Sequence, residues 1–201
     1  MKTFASLLLG LGILTAWAAD AAPKATPVST GKASVAKASS AISADNMLSN
    51  SDFGTGDLTG WTVENTKPAA STSEVIIGGG SIAGTNALKV AVTAVVPTSQ
   101  YGWEVQVFHT VAIDSGKTYL VTFSGKAEPA INIPVVCMQN KAPWGHHTYE
   151  TTANLSSKWQ NFEFRFKAIE SDSLMRINFG NLATAVGQTI TLSNVLMKIE
   201  K

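Results

Sequence analysis

An all-β fold, a two-sheet antiparallel β-sandwich of the jelly-roll kind, is predicted by three observations. Between Asn46 and Lys201 the chain is cut into short runs in which apolar and polar residues alternate, the period of a strand with one buried face. Clusters of Gly, Asn, Asp and Pro separate these runs at short spacing, the pattern of sandwiches and barrels. No stretch sustains a helical period, and helices do not alternate with strands, which excludes a nucleotide-binding α/β fold.

The elements follow in order. Strands are predicted over 73–77, 87–95, 103–111, 118–126, 132–138, 147–152, 160–167, 174–179 and 189–199. Turn formers lie between them at Gly78-Gly79-Gly80, Gly84-Thr85-Asn86, Pro97-Thr98, Asp114-Ser115-Gly116 and Glu170-Ser171-Asp172. The Gly78–Gly80 run has no following Lys-Ser/Thr and no helix, so it is not a phosphate loop. The stretch 101–127 is the most informative. Its two strands are joined at Asp114-Ser115-Gly116-Lys117 and are expected to form a hairpin. Val105, Val107, Tyr119, Val121 and Phe123 share the inward parity, with Ile177 and Phe179 further on. Glu104, Gln106, Phe108, Thr122, Lys126 and Asn178 point the other way. Ile131, Ile133 and Val135 share the parity of Cys137, which reads as a small buried hydrophobe. Trp61 and Trp159 are expected in the core.

Residues 1–22 carry the marks of a signal peptide: Lys2, the apolar run Leu7 to Leu14, and the small-x-small signal Ala16-Trp17-Ala18. The run is too short to span a bilayer, and no later segment is apolar enough to do so. Residues 23–45 are built from Ala, Ser, Lys, Thr and Pro without an aromatic residue, and read as a flexible linker. The folded domain is assigned to 46–201, and the protein is expected to be secreted, extracellular or periplasmic, and monomeric.

Fifteen Lys and Arg balance fourteen Asp and Glu, for a net charge of +1, which argues against a nucleic-acid binder. A single cysteine, Cys137, rules out an intramolecular disulfide, so the core alone must stabilise the domain.

Several segments, in this chain order, resemble carbohydrate-binding modules of the family 4/9/22 type, galactose-binding-like jelly rolls usually attached to glycoside hydrolases. These are Asn50-Ser51-Asp52-Phe53 with Leu58-Thr59-Gly60-Trp61; Ala87-Leu88-Lys89-Val90; Trp103-Glu104-Val105-Gln106-Val107; and Gly116-Lys117-Thr118-Tyr119 through Phe123, Lys126 and Ala127. Leu155 to Gln160 with Phe162, Phe164 and Phe166 continue the series, followed by Ile177-Asn178-Phe179-Gly180 and Ile190 to Val195. The resemblance implies a secreted, non-catalytic protein that binds a polysaccharide or oligosaccharide in a cleft. It also implies a structural calcium ion in many members. Here Ser193 stands where that family's closing Asp is a ligand, leaving Asp52, Asn194 and backbone carbonyls as the candidate calcium set.

Sugars are held by packing their C–H faces on aromatic rings and by hydrogen bonds from hydroxyls to amides and carboxylates. On that ground Gln106 and Asn178 are the candidate hydroxyl partners, and Trp103 the platform at the cleft rim. The loop Lys141 to Tyr149 carries Trp144, His146, His147 and Tyr149, and supplies Trp144, His146 and Tyr149 as further contacts. Adjacent histidines on a strand point apart, so no metal site is assigned to them. No catalytic residue is assigned. Hydrolysis of a glycoside needs two flanking carboxylates, and Glu104 and Glu150 lie in no catalytic frame. His109 has no Ser or Asp partner by motif. The alternatives are an adhesion or protein-binding module on the same fold, and a small glycan-active hydrolase.

Overall fold

The computed structural model describes residues 45–96, 103–148 and 150–200. The expected signal peptide, nearly all of the linker and Tyr149 lie outside these residues. Ten strands are formed: β1 (Trp61–Asn65), β2 (Ala70–Ile76), β3 (Ala87–Ala94), β4 (Val105–Ile113), β5 (Thr118–Glu128), β6 (Ile131–Gln139), β7 (Thr151–Leu155), β8 (Gln160–Lys167), β9 (Asp172–Phe179) and β10 (Thr189–Ile199). They make two five-stranded antiparallel sheets, ordered β1-β4-β9-β6-β7 and β2-β3-β10-β5-β8. The predicted sandwich is the observed one. No helix of the described residues is long and apolar enough to cross a membrane.

The inward parity read from the alternation holds throughout. Val105, Val107, Ile177 and Phe179 of the first sheet and Tyr119, Val121 and Phe123 of the second are all buried. Phe123 joins the sheets: its ring stacks on Phe162 at 4.9 Å and meets Phe179 edge-on at 5.0 Å. Ile131, Ile133, Val135 and Cys137 are buried together, and burial pushes the Cys137 thiol far above its ordinary value.

Four expectations are corrected. β4 and β5 are not a hairpin. They belong to different sheets, and the turn between them carries the chain from one sheet to the other at the end of the sandwich. Gly116 takes φ 80° there, and the Asp114 amide donates to the hydroxyl of buried Tyr119 at 2.7 Å. Alternation reports which face of a strand is buried, not which sheet the strand joins. β1 was missed because only Trp61 among its five residues is buried, so an edge strand reads as a turn. The strand expected at 147–152 begins at Thr151, because the amides of His147 and Thr148 both donate to the Cys137 carbonyl and close a tight return. Trp61 is buried as expected, but Trp159 is not core. It is half-buried just before β8, with the Lys126 ammonium 4.9 Å from its ring centroid.

Candidate functional site

The outer face of the first sheet is built by the residues whose parity opposes the core. On β9 these are Leu174, Arg176 and Asn178, followed by Gly180, while Met175, Ile177 and Phe179 are buried inward. Antiparallel pairing sets Phe108 of β4 and Val136 of β6 beside Asn178, and Glu64 of β1 beside Gln106. Outer faces are usually wet, yet Gln106, Arg176 and Asn178 are almost wholly buried.

One hydrogen-bond network joins them. The Gln106 amide nitrogen donates to the Trp103 carbonyl at 2.7 Å. Its oxygen accepts from Asn178 Nδ2 at 2.8 Å and from Arg176 Nη2 at 3.4 Å. Arg176 also reaches Glu64 at 3.4 Å. Its guanidinium lies between two rings, 4.8 Å from the Phe108 centroid and 5.1 Å from that of Trp144. Burial draws the Arg176 pKa below its usual value, and Glu64 offsets part of this. Among the described residues, two buried side-chain atoms, Asn178 Oδ1 and Arg176 Nε, have no hydrogen-bond partner. Buried polar groups are nearly always paired, so these two sealed atoms are exceptions beneath the face and not open contacts on it.

Trp103 is seated on the end of this row. A Cβ at Gly180 would collide with its indole, so the ring lies directly on glycine backbone. Beside it opens a depression of about 270 Å³ lined by Trp103, Asn132, Pro134, Glu150, Thr152 and Asn181, an aromatic surface with amides, a hydroxyl and one carboxylate. Trp144 marks the other end. It has φ 62°, its amide donates to Lys141 O at 2.8 Å, and its side chain is 48% exposed beside Arg176. Gly145 is clamped to Gln139 by two hydrogen bonds of 2.8 and 3.1 Å.

The histidine pair points apart as expected. His146 is exposed and bridges to the Met138 backbone. The His147 ring is buried, 2.9 Å from Asp172 Oδ2 and 3.8 Å from Glu170 Oε1. Burial raises the Asp172 pKa, but the Leu174 amide and His147 outweigh it and hold the carboxyl below its ordinary range.

Of the sequence-predicted residues, Trp103, Gln106, Asn178 and Trp144 therefore share one face. His146 sits on the rim beside β6, and Tyr149 lies outside the described residues. Sequence reasoning placed Phe108 on this outward face without naming it a contact, and passed over Arg176, Glu64, Asn132, Thr152 and Asn181. Arg176 carries the same parity as Asn178, and that signal was available. Glu64 went with the missed β1.

Two other clusters bear on chemistry. His109 does have a partner, Ser49 Oγ at 3.0 Å from Nε2, while Nδ1 lies 2.8 Å from Thr110 O. A carbonyl can only accept, so Nδ1 carries the proton and Nε2 accepts from Ser49. The pair is closed to an acyl group: Gly60 backbone lies over it, so near that a Cβ there would meet Ser49 Oγ at 2.6 Å and His109 Nε2 at 3.0 Å, and Trp61 packs edge-on at 5.1 Å. Around Ser193, the residues present do not fit a calcium ion. The Asn194 amide nitrogen, a donor, lies 2.8 Å from Ser81 Oγ and 3.0 Å from Ser193 Oγ, and Ser193 donates to Asn86 O at 2.9 Å. Asp52 instead caps its own turn at the Gly54 amide. A calcium cage needs converging oxygens, carboxylates among them.

Comparison with known proteins agrees with the fold. No curated protein sequence matches the chain. Among solved structures, one described as "CBM4 structure and function" superposes with a TM-score of 0.61 at 21% identity, covering 76% of this chain and 99% of its own. The N-terminal cellulose-binding domain of β-1,4-glucanase C from Cellulomonas fimi superposes with a TM-score of 0.52 at 26% identity, covering 71% and 90%. TmCBM61 in complex with β-1,4-galactotriose gives 0.50 at 15%, covering 77% and 99%. The sequence model described as a carbohydrate binding domain, CBM 4/9, matches residues 45–181, and the chain belongs to that family.

Proposed function

We propose that the outer face of the β1-β4-β9-β6-β7 sheet binds a neutral polysaccharide without cleaving it, in a protein exported by its first 22 or so residues. The observation that carries this reading is the buried network Trp103–Gln106–Asn178–Arg176. It holds two indoles on one face, with Asn132, Glu150, Thr152 and Asn181 lining the depression beside Trp103. Aromatic platforms beside hydrogen-bonding groups suit a pyranose, which has apolar C–H faces and polar edges. Trp103, Trp144, His146 and Tyr149 meet the ligand, while Gln106 and the fully buried Asn178, expected from the sequence to touch a hydroxyl, brace the platforms from beneath.

Glu64 is paired with Arg176 and Glu150 lines the depression, so the charges named on this face do not attract uronates, which favours an uncharged chain. A single carboxylate lines the depression, whereas hydrolysis needs a flanking pair. The cellulose-binding and galactotriose-bound relatives make β-1,4-linked glycans the first ligands to test.

Affinity gel electrophoresis against cellulose derivatives, β-1,3-glucan, xylan, mannan and galactan tests the reading. Retardation by at least one neutral glycan, weakened in Trp103→Ala with the fold intact, is the expected result. A folded protein that no glycan retards refutes the assignment.

A further inference from the structure

Arg176 stands on β9, the middle strand of its sheet, and is only 5% exposed. A cation that deep destabilises the fold unless its charge and its donors are used. Its edge donates from Nη1 to Glu64 on β1, two strands away, and from Nη2 to Gln106 on β4. The same guanidinium lies over the rings of Phe108 and Trp144. Trp144 comes from the other side, from the loop that follows β6. One side chain therefore ties together the β1 edge, β4 and the β6–β7 loop.

The backbone of that loop is held without Arg176. The Trp144 amide donates to Lys141 O, Gly145 is bonded to Gln139, and the His147 and Thr148 amides close on Cys137 O. These bonds fix where the loop runs but not how the indole is turned. The indole is half exposed, and an exposed side chain exchanges rotamers freely unless a contact selects one.

We infer that Arg176 is a positioning residue for glycan binding: stacked against Trp144 and steered by Glu64 and Gln106, it fixes the indole as a platform without itself touching the sugar. The inference rests on the carbohydrate-binding reading and adds the group that sets the second platform. The role needs arginine and not merely a cation. A guanidinium is flat, so it stacks by its face while it donates along its edge; a lysine ammonium is a point charge with no plane to offer a ring. Removing the guanidinium strands little else. The Glu64 side chain is 46% exposed to water, and Gln106 keeps Asn178 as a partner.

The test is a double-mutant cycle between Arg176→Lys and Trp144→Ala. Affinity gels containing cellulose derivatives, β-1,3-glucan, xylan, mannan or galactan identify the glycan that retards the protein, and Kd for that glycan is measured across the cycle. Each single variant should bind about five- to tenfold more weakly, and the double variant no more weakly than Trp144→Ala alone. Glu64→Gln loosens the guanidinium from its exposed side and leaves both rings in place. It should weaken binding about threefold in the unaltered protein and not at all in Trp144→Ala, and it decides alone if melting shows Arg176→Lys unfolded. Acrylamide quenching of the emission that Trp144→Phe removes should rise in Arg176→Lys. Losses that add in the double variant place Arg176 on the ligand or in the fold and overturn the inference, as does full affinity in Arg176→Lys. Full affinity in Trp144→Ala overturns it too and leaves carbohydrate binding at Trp103 standing. Failure of every glycan to retard the unaltered protein overturns both.

Discussion

Gln106 faces away from the core and is nevertheless one of the more buried polar residues in the protein. Its amide ties the Trp103 backbone to Asn178 and Arg176, so truncation has two consequences. Asn178 Nδ2 and the Trp103 carbonyl lose their partners in a buried setting, which costs about 1–3 kcal/mol. The Trp103 platform also loses its tether. Gln106→Ala is therefore expected to lower the urea midpoint measurably and to weaken glycan binding together with it. A variant that binds less while keeping full stability points instead to direct contact between Gln106 and the sugar. The parity of Gln106 was legible in the sequence, since Val105 and Val107 flank it. Its burial was not, because its partners are the Trp103 carbonyl, Arg176 and Asn178, groups that alternation within one strand does not bring together.

The Lys141–Thr148 loop shows the same division at the level of an element. Its aromatic and histidine content marked it as functional, but its attachment depends on a residue at the start of β9. His147 is the buried peg: its ring bonds to Asp172, and Glu170 stands close by. The pH behaviour follows from Asp172, whose folded-state pKa lies below its ordinary 3.8 because the Leu174 amide and His147 overcome the opposing effect of burial. A depressed carboxylate contributes stability that is complete above its unfolded value and is lost as the pH falls through the folded one. Thermal melts followed from about pH 5 down to about pH 2 should fall steeply below 3.8, and Asp172→Asn should flatten that limb while lowering the plateau above it. An unchanged acid limb in Asp172→Asn removes the latch. The turn at Asp114 to Lys117 makes the complementary point. Its glycine announced a reversal, yet whether a reversal stays in one sheet or crosses to the other is decided by the distant partners β9, β8 and β10.

At the scale of the whole molecule, the fold was legible because a sandwich is specified by alternation repeated along the chain. The site was only half legible, because it is assembled from strand faces and two loops whose meeting is a property of topology. The same scale decides what holds the domain together. With one buried cysteine, no disulfide contributes, and the sheets are clasped by contacts such as Phe123 on Phe179. The region where the family resemblance implies a calcium ion is occupied by the protein's own hydrogen bonds. Asn194, at φ 51°, sits at the register shift of β10 and puts its amide donor among the hydroxyls of Ser81 and Ser193. An amide donor there satisfies the oxygens that a cation would otherwise coordinate, and no carboxylate joins them to supply compensating charge. The melting temperature is therefore expected to be the same in EDTA and in millimolar calcium. Asn194→Ala should lower it in both, since the hydroxyls then lose their shared donor and the left-handed residue its favoured side chain. A rise of several degrees on adding calcium to the unaltered protein would show that the cluster rearranges to hold the ion, and that its hydrogen bonds are a substitute the metal displaces.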